Sequence, residues 1–207
     1  MAGEGLDGSR GVRFTDGTET LAMDSLLVGS IRTYATNNRV TDSAAGATAF
    51  AAGVKTYNGA ISVDTLEQPV ATLLEAAEAR GMATGLVATS RITHATPASF
   101  AAHVRSRGME TEIARQQMEQ GIEVILGGGF EMFVPEDAGG RRTDGRNLLD
   151  EAIEQGYMLV RDRAGFDALN ATPVLGLFTP SHMAYEIDRN PAEEPSLAEM
   201  TAKAIAL

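Results

Sequence analysis

The chain has 207 residues, 43% of them hydrophobic and 22% charged, so it is long enough to fold into one domain with a hydrophobic core. Its formal net charge of −11 argues against nucleic acid or an anionic membrane as a general partner. The absence of cysteine excludes disulfides and thiolate metal sites and leaves oxygen and imidazole as metal ligands. No apolar run approaches the ~18 residues of a membrane helix, and the Gly-rich, polar N-terminus lacks the apolar core of a signal peptide.

The first quarter of the chain predicts a lead-in, a strand, a helix and a turn. Residues 1–20 are rich in glycine and charge and predict an irregular lead-in. Residues 26–34 (LLVGSIRTY) alternate loosely in hydrophobicity, which favours a strand. The Ala-rich run from Ala44 to Ala52 predicts a helix, and Tyr57-Asn58-Gly59 is typical of a turn.

From residue 70 onward, helical and strand patterns alternate, which favours a layered α/β fold. Apolar periodicity and end signals predict helices over 70–80, 97–105, 109–120, 148–155 and 196–207. Short apolar runs predict strands over 83–88, 122–126, 157–160 and 173–178. Ser196 and Glu199 form a capping-box pattern at the start of the last helix.

The segment VTDSAAGATAF (residues 40–50) places an acid and a hydroxyl directly before small residues. A serine at a helix start lies at the positive end of the helix dipole, close to free backbone N–H groups that bind anions. Ser43 is therefore a candidate nucleophile for a phosphorus centre. The alternative is that Thr41, Asp42 or Ser43 simply caps an Ala-rich helix.

Ser43 would need a base to take its proton, or a metal ion to bind and activate its hydroxyl, to become a nucleophile near neutral pH. The chain has three histidines, His94, His103 and His182, and no G-x-S-x-G motif surrounds Ser43. A metal ion is therefore a better-supported activator than a hydrolase triad. His103 is expected to face along a helix in a structural role, and His182, near a loop, receives no role.

Several other polar residues have both a functional and an ordinary interpretation. Arg107 could bind phosphate oxygens in a bidentate manner, or it could be a solvated arginine near Arg105. His94 and Thr96 lie at the predicted start of a helix. A histidine whose hydrogen bonds are satisfied and a threonine that caps the helix are both common at such a position. The three glycines Gly127–Gly129 lack the rest of a phosphate-binding motif and predict a turn.

Five segments, in the same order along the chain, resemble the alkaline phosphatase family. They are VTDSAAGATAFAAGVKTYNGAISVD (40–64), RITHATPASFAAHVRSR (91–107), VILGGG (124–129), GRRTDGRNLLDEAIEQGY (140–157) and LGLFTPSHMAYEIDRNPAEEPSLAEMT (175–201). The resemblance implies a three-layer α/β sandwich with a mostly parallel central sheet. Residues 1–207 would form a single, partial domain of this type.

The resemblance also implies roles for the candidate residues. Ser43 matches the nucleophile, whose hydroxyl is activated by zinc and which forms a phosphoserine intermediate in hydrolysing phosphate monoesters. Arg107 matches the residue that holds the transferring phosphoryl group, and Asp42 matches the acid that fixes this arginine. Thr96 matches a magnesium ligand, and His94 matches a position close to metal-bound water. The implied cofactors are Zn²⁺ and Mg²⁺, with Ser43, Thr96 and His94 at the metal site.

The chain departs from the family in its metal ligands. Nothing before Met23 matches the N-terminal strand that carries the first aspartate ligand, and the other carboxylate and histidine ligands would follow Leu207. The chain is therefore expected to be an incomplete and inactive portion of a phosphatase. It would expose sheet edges and apolar faces.

Three alternatives follow from this departure. The chain could be a catalytically dead module for binding or complementation, a related metal-dependent sulfatase or phosphodiesterase, or a metal-free serine hydrolase. The last would need a histidine within reach of Ser43. The expected partners are small phosphate monoesters and, in a homodimer, a second copy of the chain, with no nucleic acid and no membrane. A full-length relative is expected in the periplasm or outside the cell.

Overall fold

The computed structural model describes residues 25–207 and the backbone of two short strands that precede them. The chain divides into two compact units, residues 1–32 and 33–207. In the first unit, β1 (Leu6–Asp7) pairs antiparallel with β2 (Val12–Arg13). The rest of the predicted lead-in over 1–20 lies outside the described residues.

The predicted strand over residues 26–34 is wrong. Residues 27–34 have no regular secondary structure, and the side chains of Leu26, Leu27 and Val28 are exposed. A β-like pattern forms a strand only where a neighbouring strand pairs with it and a core covers one face. No pairing is recorded for these residues.

The second unit contains seven α-helices and four strands among the described residues. The helices are α1 (Ser43–Ala52), α2 (Leu73–Glu78), α3 (Ala95–Ala101), α4 (Glu110–Gln120), α5 (Leu148–Glu154), α6 (Arg163–Ala168) and α7 (Leu197–Ala206). The strands are β3 (Gly85–Arg91), β4 (Val124–Gly128), β5 (Met158–Val160) and β6 (Val174–Leu177), and short 3₁₀ turns occupy Phe130–Met132 and Glu136–Ala138. No helix of the described residues is both long and apolar enough to cross a bilayer.

The four strands form one parallel sheet in the order β3-β4-β6-β5. The central strands β4 and β6 are buried at every residue, as expected when helices cover both faces of a parallel sheet. Ile125 packs on one face with residues of α4 and α5, whereas Val124 and Leu126 pack on the other with Phe166 of α6 and Met200 of α7. The predicted three-layer α/β architecture is therefore confirmed.

The ends of the predicted elements shift where tertiary contacts override local propensity. Helix α3 was expected over 97–105 but begins at Ala95 and stops at Ala101, because Ala102 is extended and Val104 pairs with Ile61. Helix α2 was expected from residue 70 but begins after Thr72, whose side chain and Glu75 form a capping box. The predicted capping box at α7 is confirmed, and α6, which starts after a cap at Asp162, was not predicted.

Strand β3 has a neighbouring strand on one side only among the described residues, although its seven residues make it the longest strand of the sheet. An open, mostly apolar groove of about 620 Å³ runs along β3 between Leu73 of α2, Phe100 of α3 and Leu197 of α7. Leu73 and Leu197 are 65% and 46% exposed. The expected exposure of a sheet edge and of apolar faces therefore agrees with the described part of the chain.

Candidate functional site

Ser43 is the first residue of α1, and its side chain is exposed. The helix cap is Asp42, whose Oδ1 accepts a hydrogen bond from the backbone N–H of Ala45 at 2.9 Å. The cap interpretation thus applies to Asp42, and the hydroxyl of Ser43 is left for other contacts. This places Ser43 at the positive end of a ten-residue helix.

The small residues after Ser43 have a packing role. Ala44, Ala45, Ala47 and Ala51 are buried, and Ala44 belongs to a cluster with Ala95, Ala98 and Ala102 around α3. Small side chains allow α1 and α3 to approach closely. This contact fixes the start of α1 relative to the start of α3, which carries His94 before its first residue.

Arg107 reaches Ser43 from 64 positions along the chain. Its Nη1 donates to Ser43 Oγ at 2.7 Å and lies 3.3 Å from Asp42 Oδ2. The predicted placement of Ser43 and Arg107 in the same pocket is confirmed. Both partners of the ion pair are partly exposed, with 30% and 26% of their side chains accessible, so the pair orients the guanidinium more than it stabilises the fold.

His94 contacts the other end of the guanidinium. Its Nε2 lies 2.9 Å from Arg107 Nη2, and because a guanidinium only donates, this ring nitrogen must be the acceptor. Partial burial and the neighbouring charge of Arg107 lower the pKa of His94, which favours the neutral ring that this contact requires. The two sides of Arg107 are thus held by Asp42 and His94.

A further set of charged side chains lies close to His94 and was not predicted from the sequence. Arg91 donates to both carboxylate oxygens of Glu110, and Glu110 also accepts from the hydroxyl of Thr93 at 2.6 Å. Partial burial alone would raise the pKa of Glu110, but these hydrogen bonds and the charge of Arg91 outweigh it and hold the pKa below its ordinary value. His182 lies against Arg91, 3.0 Å from its Nη1, and its ring packs edge-on against His94 with centroids 5.2 Å apart.

The position of His182 follows from the parallel sheet. The loop after β6 and the loop after β3 leave the sheet at the same carboxyl edge, where residues distant in sequence meet. Gly128 allows the β6 loop to approach, because a Cβ at this position would clash with the carbonyl of Ser181. The predicted turn over 127–129 is therefore wrong for Gly127 and Gly128, which belong to β4. Only Gly129, with φ of +97°, leaves the strand.

His103 lies away from Ser43. It is outside α3, which corrects its predicted helical position, and its ring nitrogens lie 2.8 Å from the Ser62 carbonyl and 2.8 Å from Glu75 Oε1. It links the start of α2 to the segment after α3, and its structural role stays a prediction.

The described residues do not fit a metal cage. Between residues 25 and 207, no group of three or more histidine, aspartate and glutamate side chains is arranged to hold a metal ion. Thr96 is exposed and lines the apolar groove beside β3, and the ring of His94 contacts Arg107 and His182. Of Ser43, Thr96 and His94, only His94 has a side chain of the histidine, cysteine or carboxylate kind that holds zinc, and a zinc site uses three or four protein ligands.

Comparisons with known proteins identify the family of the chain. The family model described as alkaline phosphatase matches residues 6–207. The chain belongs to the alkaline phosphatase family. Its resemblance to this family, seen first in the five sequence segments, is thereby confirmed.

Individual relatives agree with the family model. Over 206 residues the chain is 45% identical to the repressible alkaline phosphatase of Saccharomyces cerevisiae, a match that covers 90% of this chain. The solved alkaline phosphatase of a psychrophilic Shewanella superposes with a TM-score of 0.81 at 37% identity, over 93% of this chain. A histidine-to-aspartate variant of TAB5 alkaline phosphatase, solved with Mg bound, superposes with a TM-score of 0.65 at 35% identity, over 74% of this chain.

The chain spans less than half the length of these relatives. It covers 36% of the yeast protein, 46% of the Shewanella chain and 43% of the TAB5 chain. The match therefore shows the family of the chain and does not by itself show the activity of a complete enzyme.

Proposed function

We propose that this chain carries the nucleophile and the phosphate-binding residues of a phosphate-monoester hydrolase. The observation that supports the proposal most strongly is the 2.7 Å contact between Arg107 Nη1 and Ser43 Oγ at the start of α1. A guanidinium beside a serine hydroxyl binds the oxygens of a phosphate whose phosphorus lies in front of that hydroxyl.

The proposed reaction proceeds in two displacements. In the first, Ser43 Oγ loses its proton and forms a bond to phosphorus, the ester P–O bond breaks, and the leaving alcohol oxygen takes up a proton. In the second, a water oxygen forms a bond to the phosphorus of the phosphoserine, the P–Oγ bond breaks, Ser43 Oγ regains a proton, and inorganic phosphate is released. Arg107 stabilises the charge on the non-bridging oxygens in both steps, and Asp42 and His94 keep its donors aimed at them.

The described residues do not provide the base that Ser43 needs. Ser43 Oγ accepts a hydrogen bond from Arg107, and a guanidinium donor cannot take the proton of the serine. The recorded hydrogen bonds of His94, His103 and His182 go to other groups. This argues against the metal-free serine hydrolase alternative within the described part of the chain.

We propose zinc and magnesium as the cofactors of the complete enzyme. Family membership and the magnesium in the TAB5 structure support this proposal. When bound, such ions lower the pKa of a coordinated hydroxyl and stabilise an oxyanion leaving group. Ser43, Thr96 and His94 would contribute to their binding, and further carboxylate and imidazole ligands are needed beyond those of the described residues.

The alternatives differ in how well the observations support them. Membership of the alkaline phosphatase family favours phosphate monoesters over the substrates of sulfatases and phosphodiesterases. A catalytically inactive module for binding or complementation remains the second candidate, because the described residues lack a metal cage. Periplasmic or extracellular location of a full-length form and a homodimer stay predictions.

The proposed site can be tested by titrating the isotope-labelled chain with inorganic phosphate and following its NMR spectrum. We expect saturable shifts of the Arg107 side-chain resonances and of the Ser43 and Ala44 amides, all with the same midpoint. Sulfate at equal concentration serves as the competing anion, and phosphate is expected to bind more tightly. Shifts that fall elsewhere, or none at all, would contradict the phosphate-binding assignment.

A further inference from the structure

The loop that leads to Ser43 is held in place by hydrogen bonds. Residues 36–40 are all exposed, and the side chain of Val40 is 78% accessible, so apolar burial contributes little to their position. Helix α1 itself is fixed separately through its buried alanines. The conformation of the loop therefore depends on the polar groups that contact it.

Asn58 provides three of these contacts. Its Oδ1 accepts from the backbone N–H of Asp42 at 2.9 Å, and its Nδ2 donates to the carbonyl of Val40 at 2.8 Å. Its own backbone N–H donates to Asn37 Oδ1 at 2.9 Å. The side-chain amide can be oriented in only one way, because its oxygen faces a donor and its nitrogen faces an acceptor.

The next residue, Gly59, connects the same turn to Asp42 and to Arg107. Its N–H donates to Asp42 Oδ2 at 3.1 Å, and its carbonyl accepts from the backbone N–H of Arg107 at 2.6 Å. Its φ of +90° is a conformation that a side chain rarely adopts. The Asn58-Gly59 turn is thus bonded to the nucleophile loop on one side and to the backbone of the phosphate-binding arginine on the other.

We propose that Asn58 is a positioning residue for Ser43 and Arg107. By fixing the backbone of residues 40–42, its amide holds the Asp42 carboxylate against Gly59 and Arg107, and the guanidinium stays within reach of Ser43 Oγ. This inference deepens the function proposed above. Asn58 itself does not contact Ser43 in the recorded hydrogen bonds, so its role is exerted through Asp42 and Gly59.

The test compares Asn58→Ala and Asn58→Asp with the unchanged chain. Asn147→Ala is the matched control, because Asn147 caps α5 through a hydrogen bond from Leu149 N–H at 3.1 Å and is not among the contacts of this site. We expect Asn58→Ala to speed amide hydrogen exchange at Asp42 and Gly59 about tenfold while the amides of β4 stay protected. Asn58→Asp keeps an acceptor for the Asp42 N–H and should lose less protection there.

Two further readouts separate positioning from general stability. The Arg107 side-chain NMR resonances should shift in Asn58→Ala and stay unchanged in Asn147→Ala, and inorganic phosphate should bind about tenfold more weakly to Asn58→Ala. Unchanged exchange at Asp42 together with unchanged Arg107 resonances would overturn the proposal. If Asn58→Ala unfolds the chain, Asn58→Asp decides: because its carboxylate cannot donate to the Val40 carbonyl, a folded variant with unchanged exchange at Asp42 and unchanged Arg107 resonances contradicts the role.

This design also distinguishes the inference from the proposed function. A chain that does not bind phosphate at all would contradict the phosphate site. The exchange and resonance measurements need no ligand, and they would still show whether Asn58 positions Asp42 and Arg107.

Discussion

Replacing Arg107 with alanine should weaken the binding of inorganic phosphate by about 10- to 100-fold, because hydrogen bonds to a charged partner contribute about 1.5–3 kcal/mol. The variant removes both donors that lie between Ser43, Asp42 and His94. The fold should persist, since the Arg107–Asp42 pair is partly exposed and its contribution to stability is small. Isothermal titration calorimetry gives the affinity, and a thermal melt reports the fold.

Arg105→Ala is the matched control for this experiment. Arg105 lies two positions away, is exposed and carries the same charge, so its loss changes the net charge equally without removing a contact to Ser43. We expect its phosphate affinity to change by less than about threefold, the small effect of a screened surface charge. Equal losses in the two variants would mean that phosphate responds to overall charge and that Arg107 is not a specific ligand.

The isolated 207-residue chain should hydrolyse p-nitrophenyl phosphate no faster than its Ser43→Ala variant, even with added zinc and magnesium. Ser43 receives a donor from Arg107 and has no recorded base, and the described residues contain no cluster of three metal-binding side chains. Loss of a single oxyanion-stabilising donor already lowers the rate by about 10²–10³. Several such groups are absent at once among residues 25–207, so the expected turnover is background.

Initial rates of p-nitrophenol release over a range of chain concentrations test this expectation. Turnover that exceeds background and disappears in Ser43→Ala would contradict it. A rate that rises more steeply than the chain concentration would then indicate that copies of the chain complete the site for one another.

The sequence alone predicted the local surroundings of Ser43 because they depend on short-range rules. The cap and the Ala-rich run determine where α1 begins, and Gly121, with φ of +79°, ends α4 as expected. The alternation of helices and strands likewise indicated a layered α/β fold. The strand predicted over 26–34 failed because an alternating pattern carries no information about whether a neighbouring strand is present.

The pairing of Ser43 with Arg107 could not be derived from periodicity. The two residues are 64 positions apart, and the sequence by itself favoured a solvated arginine. The family resemblance supplied the pairing, and the structure places the two side chains together.

His182 and Asn58 were missed for different reasons. His182 contacts His94 because parallel strands bring their following loops to the same edge of the sheet, which is a property of topology. Both residues follow predicted strands, and this placement could have indicated that they meet. Asn58 was assigned only to a turn, because the bonds from its side chain to Val40 and Asp42 depend on how that turn packs.

The most direct test of the central claim is a chimera in which the matching segment of the yeast repressible alkaline phosphatase is replaced by this chain. The match covers 90% of this chain at 45% identity, and the rest of the yeast sequence stays unchanged in the chimera. The account predicts a folded, metal-dependent enzyme that hydrolyses p-nitrophenyl phosphate, loses activity in Ser43→Ala and keeps it in Ser106→Ala, which removes an exposed hydroxyl next to Arg107. A folded, metal-loaded chimera that is inactive, or that remains active without the Ser43 hydroxyl, would contradict it.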